Sequence, residues 1–282
     1  MIKDVLVHLD GSPRDEERLQ HAEAIASIWQ SHVTGLFTNP TPDIPLVAPM
    51  NGGAAAAEII VSLSEESKRA GDVLQKNLTG RMARLNVPNE IRRLDGTPGV
   101  LSNEIVTEAR CADLLIMSRP YGSDGSERWD AAFEAVLFEG GRSVLVVPPG
   151  HRPPDVIRRV LVCWRNTREA TRAVAEAACF LEKATKITIL TVDPDQKKGA
   201  DKTEPSADIA KHISRFGPPV EVSIAPSEGR AIGEVILERA RRASADLIVM
   251  GGYGHSRARE WILGGATRDT LSKSEIPILM AH

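Results

Sequence analysis

The sequence predicts an α/β protein built from two tandem doubly wound parallel-sheet domains. Short apolar runs without strict alternation are typical of strands that are buried on both faces of a parallel sheet. These runs alternate with longer stretches of helical pattern, as an α/β layer fold requires. The same succession of segments then occurs a second time, which indicates two copies of one domain.

Three pairs of segments establish the repeat. The matches are DVLVHLDGS from Asp4 with RVLVCWRNT from Arg159, CADLLIMSRP from Cys111 with SADLIVMGGY from Ser244, and GRSVLVVPPG from Gly141 with SEIPILMAH from Ser274. The middle pair is separated by 133 residues. Between the copies lies PPGHRPPDV, whose prolines suit an extended linker. We therefore expect one domain over residues 1–150 and a second over 151–282.

The elements follow in order along each copy. Predicted strands in the first copy are Val5 to Leu9, Leu114 to Met117 and Val144 to Val147, and predicted helices in the two copies are Arg14 to Trp29, Gly99 to Arg110, Arg168 to Lys183 and Ala231 to Arg242. Ser12, Pro13 and Asp15 resemble a helix start, with Ser12 as the hydroxyl cap, and Thr167 takes the cap position in the second copy. The Pro-rich segment TNPTPDIPLVAPMNGGAAAA predicts a long surface loop before a helix from about Ala55 to Leu85.

Composition and charge exclude several classes of function. The chain has 282 residues, of which 42% are hydrophobic and 26% charged, and its formal net charge of -3 favours no nucleic-acid partner. The three cysteines form no metal-type spacing and favour a reducing compartment. No stretch has the length and apolar character of a signal peptide or a membrane span. We expect a cytoplasmic protein without a membrane or nucleic-acid partner.

Two glycine-containing turns mark the predicted ligand edge. LDGS follows the first strand of the first copy, and GGYG follows the fourth strand of the second. In a doubly wound sheet, ligands bind outside the carboxyl ends of the strands where the strand order reverses. A glycine turn before a helix offers backbone N–H groups to an anion. From Gly251 the spacing is G-x2-G-x9-G, with Gly254 and Gly264 as the later glycines. The alternative is that GGYG is only a tight turn between a strand and a helix and binds no ligand.

These features together resemble the universal stress protein family, and specifically its tandem two-domain members. The resemblance covers nearly the whole chain through VLVHLDGS, the GTPG at Gly96 to Gly99, the ADLLIM and ADLIVM strands and the spaced glycines. For the ATP-binding branch it implies five-stranded sheets, adenine near an Asp after the first strand and phosphates on the glycine loop. It also implies that the final strands of the two domains pair around a pseudo-two-fold axis. Here these are Val144 to Val147 and Ile278 to Met280, and pairing them removes two exposed edges.

The resemblance places the nucleotide site in the second domain. The residues that it assigns there are Gly251, Gly254, His255, Ser256, Gly264, Gly265, Ala266, Thr267 and Arg165. Gly265 stands where the family pattern has a hydroxyl residue, and Thr267 is the nearest substitute. Arg165 stands where the family has the adenine-side Asp. As a side chain, Arg165 either meets a phosphate or pairs with a surface carboxylate.

The first domain shows the opposite pattern and is predicted to be a degenerate site. Asp10, Gly11 and Ser12 are intact, but Ser118 and Tyr121 replace the first two glycines and Asp130 lies near the third. Asp10 then has the alternative role of a turn residue. Trp129 and Trp261 occupy similar places in the two copies and are interpreted as packing residues, with ligand stacking as the alternative role.

The sequence thus predicts a stress-response nucleotide sensor or adaptor that binds ATP, with Mg²⁺, in its second domain. No catalytic residue or metal site is predicted, because no Walker motif, GxSxG elbow or metal-type cluster occurs; slow ATP hydrolysis is the most that such a site offers. Two alternatives stay open. One is a ligand-free interaction scaffold with both sites decayed, and the other is a binder of a different small molecule beneath the loop from Asn39 to Met50. Association of two chains into a homodimer is left open as well.

Overall fold

The computed structural model describes residues 1–43, 53–122, 129–194, 206–252 and 265–282. The first half contains β1 (Asp4–Leu9), α1 (Asp15–Trp29), β2 (His32–Pro40), α2 (Gly53–Met82), β3 (Asn89–Gly96), α3 (Pro98–Ala109), β4 (Leu114–Ser118), α4 (Asp130–Glu139) and β5 (Ser143–Val147). The second half contains β6 (Arg159–Cys163), α5 (Arg168–Glu176), α6 (Ala178–Lys183), β7 (Lys186–Val192), α7 (Ala207–Ser214), β8 (Val220–Ala225), α8 (Ile232–Arg242), β9 (Leu247–Gly251), α9 (Gly265–Lys273) and β10 (Ile278–Ala281).

The strands of both halves form one ten-stranded sheet. Its order is β3-β2-β1-β4-β5-β10-β9-β6-β7-β8, so each half repeats the same doubly wound arrangement in opposite directions. All pairings are parallel except that of β5 with β10. There Leu279 lies opposite Leu145, and Met280 opposite Val144. The predicted fold class and the predicted pairing of the two final strands are both confirmed.

Two apolar layers cover the sheet, and each is continuous across both halves. One layer is formed by buried residues of α1, α2, α5, α6 and α7, among them Leu19, Met82, Val174, Phe180 and Ile213. The other is formed by residues of α3, α4, α8 and α9, among them Leu101, Phe133, Val235 and Leu271. Trp29 at the end of α1 packs edge-on against Phe180, with 5.1 Å between ring centroids. The halves therefore share a core as well as a sheet.

The repeated Ala-Asp-Leu motif has the same structural role in both halves. The Asp113 carboxylate accepts the backbone N–H groups of Lys3 and Asp4 at 2.7 and 3.1 Å. The Asp246 carboxylate likewise accepts those of Arg158 and Arg159, at 2.9 and 2.8 Å. Each aspartate thus holds the beginning of the first strand of its half beside the strand that the aspartate precedes.

The proline-containing linker packs against α1. The Gly150 N–H donates to the Glu17 carboxylate at 2.7 Å, and Gly150 has a positive φ of 72°. His21 Nδ1 lies 2.8 Å from the Glu17 carbonyl oxygen, and its Nε2 lies 3.0 Å from His151 Nδ1. These contacts hold residues 150 and 151 on the first half. The boundary between residues 150 and 151 itself stays a prediction.

Local predictions were wrong at three places. Ser12 does not cap α1, because its hydroxyl donates to Asp10 at 2.6 Å and the helix begins only at Asp15, after Pro13. The single helix expected over Arg168 to Lys183 is divided at Ala177 into α5 and α6. Residues 38–40 of the expected loop belong to β2, since they pair with Leu94–Gly96.

Thr167 does cap α5, accepting the Ala170 N–H at 3.3 Å. Most of the Asn39 to Met50 segment lies outside the described residues.

Replacing either aspartate of the repeated motif should destabilise the protein to a similar degree. Asp113→Ala and Asp246→Ala each remove the acceptor of two backbone N–H groups, which should cost about 1–2 kcal/mol. Urea denaturation measures the change, with exposed Asp155→Ala as the control. A change below about 0.5 kcal/mol for both variants would contradict the assigned role.

Acidification should destabilise the fold through His21. Burial lowers the pKa of His21 to about 4 from its usual 6.5. Between these values His21 binds a proton in the unfolded chain but not in the folded chain, so its contribution to the free energy of unfolding falls as the pH drops from 6.5 toward 4. At about 1.4 kcal/mol for each pKa unit, the loss is on the order of 3 kcal/mol. The raised pKa of Asp15, about 6, contributes with the opposite sign over the same range.

The measurement is a series of urea denaturations across this pH range. His21→Gln should remove this loss, so that the variant gains stability relative to the wild-type protein as the pH falls. The matched control His212→Gln removes an exposed imidazole instead. Equal slopes for the wild-type protein and His21→Gln would refute the assignment.

Candidate functional site

Each half has one crevice at the point where its strand order reverses. In the first half this point lies between β1 and β4, and in the second half between β6 and β9. The equivalence of the two extends to backbone hydrogen bonds: the Arg119 N–H donates to the Val147 carbonyl at 3.0 Å, and the Gly252 N–H donates to the Ala281 carbonyl at 2.9 Å. The predicted site residues can therefore be compared position by position.

In the first-half crevice, Asp10 is held by partners from the protein itself. One carboxylate oxygen accepts from Arg18 Nη2 at 2.7 Å and from the Ser12 N–H and hydroxyl at 3.2 and 2.6 Å. The other oxygen accepts the indole N–H of Trp129 at 2.8 Å. Burial raises the pKa of this carboxyl, but the guanidinium of Arg18 and these donors outweigh it and hold the pKa below its usual range. Asp10 is therefore an ionised residue of a closed network and not merely a turn residue.

Arg18 lies at the centre of this network. Its side chain is only 1% exposed and also pairs with Asp15, whose carboxylate accepts the N–H groups of Asp10 and Gly11 at 3.1 and 2.8 Å. Burial and the charge of Asp10 raise the pKa of Asp15 to about 6 despite Arg18. Arg18 Nη1 further lies 3.4 Å from His8 Nδ1.

His8 completes the network with one defined tautomer. Thr38 donates its hydroxyl to the Leu9 carbonyl at 3.2 Å, so the His8 Nε2 that lies 2.9 Å from this hydroxyl donates to it. Nδ1 is then the nitrogen that accepts from Arg18. His8 and Thr38 are both buried.

After β4, residues with side chains stand at the positions where the second half has glycines. Tyr121 has a positive φ of 61°, and its N–H donates to Asp130 at 2.9 Å. Its hydroxyl donates to Glu134 at 2.7 Å, and the guanidinium of Arg268 from the second half lies 5.1 Å from its ring centroid. These contacts support the prediction that the first-half site is degenerate.

In the second half, several of the described residues at the corresponding place are polar and exposed. Arg165 and Asn166 follow β6 and are exposed, as is Arg168 at the start of α5. Gly265 begins α9 and is exposed, Ala266 is half-buried and Thr267 is buried. Gly254, His255, Ser256, Gly264 and Trp261 lie outside the described residues, so their predicted roles stay predictions.

Gly251 has a packing role that the sequence analysis did not identify. A Cβ atom at Gly251 would lie 2.6 Å from the backbone nitrogen of Ala170 and from the carbonyl carbon of Glu169. The first turn of α5 therefore rests directly on the end of β9, and only glycine allows this approach. This contact explains Gly251 without any ligand.

The first half contributes to the second-half crevice through the end of α4. A Cβ atom at Gly252 would meet the Leu137 side chain at 2.8 Å. Phe138 lies edge-on to His282, with 4.7 Å between ring centroids, and burial lowers the pKa of His282. The crevice of one half is thus bordered by a helix of the other.

The sequence analysis missed Arg18 and Asp15 as site residues and favoured packing over ligand stacking for Trp129. The signal for Arg18 was its position one residue before Leu19 and four before Ala22, on the face of α1 that is buried. No local pattern connects Trp129 to Asp10, because the two are 119 residues apart. In the described part of the chain, no group of three or more His, Cys, Asp or Glu side chains could hold a metal ion.

A comparison of the chain with models of protein families identifies its second half. The model of the universal stress protein family matches residues 157–282. The second half is a universal stress protein domain. No curated protein matches the chain.

Crystal structures extend the likeness to the whole chain. A universal stress protein from Archaeoglobus fulgidus DSM 4304 superposes with a TM-score of 0.70 at 18% identity, covering 99% of this chain and 95% of its own. A protein from Pseudomonas aeruginosa UCBPP-PA14, proposed to be a universal stress protein, gives a TM-score of 0.59 at 15% identity and covers 99% and 93%. At these identities the likeness concerns the fold. The resemblance to a tandem universal stress protein is confirmed. Among the described residues, none of the helices is long and apolar enough to cross a membrane.

The two glycines at the ends of the second-half loop should respond differently to alanine. Gly251→Ala places a methyl group against the backbone of α5, which should cost about 1–3 kcal/mol. Gly265→Ala meets no atom within 4 Å and should leave stability unchanged or raise it by up to about 1 kcal/mol. Thermal and urea denaturation of the pair measure the difference, and equal effects would refute the packing role of Gly251.

Proposed function

We propose that this universal stress protein is a stress-response sensor or adaptor that binds a phosphate-bearing nucleotide of the ATP type, with Mg²⁺, in its second half. The observation that carries the proposal is the difference between the two equivalent crevices. The first is filled by its own charged network and by Trp129, whereas Arg165, Asn166 and Gly265 are exposed around the second. These exposed residues of the second half lie at the sheet edge where a doubly wound fold binds its ligands.

The charge around the second crevice favours an anionic ligand. Arg165 takes the place of Asp10, so a carboxylate is replaced by a guanidinium. The Arg168 side chain is 76% exposed nearby, and its only described ion pair is with the adjacent Glu169 at 3.2 Å. A guanidinium binds phosphate oxygens through charge-assisted hydrogen bonds. The replacement also implies that an adenine base would be held differently from the family pattern.

The arrangement supports binding without turnover. The described residues around β6 and β9 place no nucleophile beside a general base, which covalent or acid–base catalysis would require. A ligand that binds and persists changes the stability of the folded state, and that property suits a sensor.

The second candidate is a ligand-free interaction scaffold. The packing of α5 on Gly251 favours it, since it accounts for one glycine of the loop pattern by folding alone. The two candidates differ in whether the nucleotide-free protein takes up ATP, and one titration separates them.

The test is calorimetric titration of nucleotide-stripped protein with ATP and Mg²⁺. We expect one molecule per chain with micromolar affinity, because Trp129 and the charged network fill the first crevice. Arg165→Glu should weaken binding at least tenfold, which corresponds to about 1.4 kcal/mol. Arg215→Glu makes the same charge change at the exposed end of α7 and should leave binding unchanged.

The sequence-based variant Gly254→Val gives a second test of the same site. It should abolish binding while the protein keeps its wild-type circular dichroism spectrum. If millimolar ATP produces no binding heat and no thermal stabilisation, the nucleotide proposal is refuted and the scaffold remains. Two molecules per chain would show that the first crevice also opens.

A further inference from the structure

We propose that Trp129 is a built-in occupant of the first-half crevice: its indole ring takes the place of a planar heteroaromatic ligand and keeps this half closed in the absence of any ligand. The inference concerns residues 1–150 and does not depend on what the second half binds. It turns the degenerate site into a site that the protein fills with its own side chain.

The contacts of Trp129 are those of a bound ligand more than of an ordinary core residue. The ring is 6% exposed and lies edge-on to His8, with 4.5 Å between ring centroids. Its N–H donates at 2.8 Å to Asp10, the residue that directly follows β1 at the carboxyl edge of the sheet. An aromatic ring in the crevice and a donor aimed at the edge carboxylate are the two contacts that a heteroaromatic ligand would make there.

The residues that contact the indole N–H are buried and already hydrogen-bonded to one another. The Asp10 side chain is 8% exposed, and its other oxygen is already taken by Arg18 and Ser12. Buried carboxylate oxygens need donors, and the indole N–H of Trp129 supplies one of them to Asp10. The position therefore selects a planar ring that carries an N–H donor.

The chain holds the ring in place from the adjacent position. Asp130, the first residue of α4, accepts the Tyr121 N–H at 2.9 Å and so ties the beginning of α4 to the loop after β4. Trp129 directly precedes this residue. The residue that precedes α4 thus carries the side chain that fills the crevice.

The experiment removes the occupant and offers a substitute. Trp129→Ala should lower the melting temperature, and millimolar indole should restore part of the loss while leaving the wild-type protein unaffected. Benzothiophene has a similar shape but no N–H, and we expect it to bind about tenfold more weakly than indole. Calorimetry or the dose dependence of the melting temperature gives the two affinities.

Two further variants separate the proposal from simple cavity filling. In Trp129→Ala combined with Asp10→Ala, the preference for indole over benzothiophene should disappear. In Trp29→Ala, which removes the ring that packs on Phe180, the two compounds should act alike. Failure of both compounds to stabilise Trp129→Ala, or equal affinities for both, would overturn the proposal.

Hydrogen exchange in the wild-type protein tests the proposal even if Trp129→Ala does not fold. The indole N–H of Trp129, assigned in a nitrogen-15 NMR spectrum with Trp129→Phe, should exchange at least about 100-fold more slowly than that of free tryptophan. Exchange at the rate of free tryptophan would mean that the crevice is open and would overturn the proposal.

Discussion

The antiparallel pairing of β5 with β10 is the constraint on which the rest of the structure depends. It joins two parallel half-sheets edge to edge, so neither half exposes its final strand. It also makes the carboxyl edges of the two halves point in opposite directions. As a consequence α4 begins beside the crevice of its own half and ends beside that of the other, where Leu137 meets Gly252 and Phe138 meets His282. The two crevices are separate in space but share helices.

The two crevices occupy equivalent positions in the sheet but differ in where their charged groups lie. The first contains a buried guanidinium between two carboxylates, with a histidine and an indole around them. Such a group of charges loses much hydration on burial, and it is tolerable only because nearly every donor and acceptor has a partner inside the protein. Filling the crevice with protein side chains is therefore a physical condition for keeping Arg18 there. The second crevice keeps its guanidinium groups at the surface, where water solvates them.

Glycines in the second half illustrate how packing and binding can favour the same residue. Gly251 allows α5 to touch the end of β9, and Gly252 allows α4 to approach. Gly251 belongs to the loop pattern that resembles a phosphate site and Gly252 follows it directly, yet each has a reason to be glycine in the folded chain alone. A glycine spacing is thus weaker support for a ligand than exposed charge at the same edge. For this reason the proposal of a nucleotide site is based on Arg165 and on the contrast with Asp10.

The sequence by itself determined the α/β class, the duplication and the cap at Thr167. These depend on periodicity, short-range propensity and internal repetition, which are local properties that a single chain displays. The pairing of the final strands was implied by the resemblance to the universal stress protein family and not by a local pattern. Only the tertiary structure decided that Arg18 is buried, that Ser12 donates to Asp10 instead of capping α1, that α5 rests on Gly251, and that Trp129 fills the first crevice. Most of these outcomes depend on contacts between residues far apart in the chain, and the position of Ser12 follows from the charged network around it. No local pattern encodes which side chain will meet which carboxylate once the sheet has brought them to one edge.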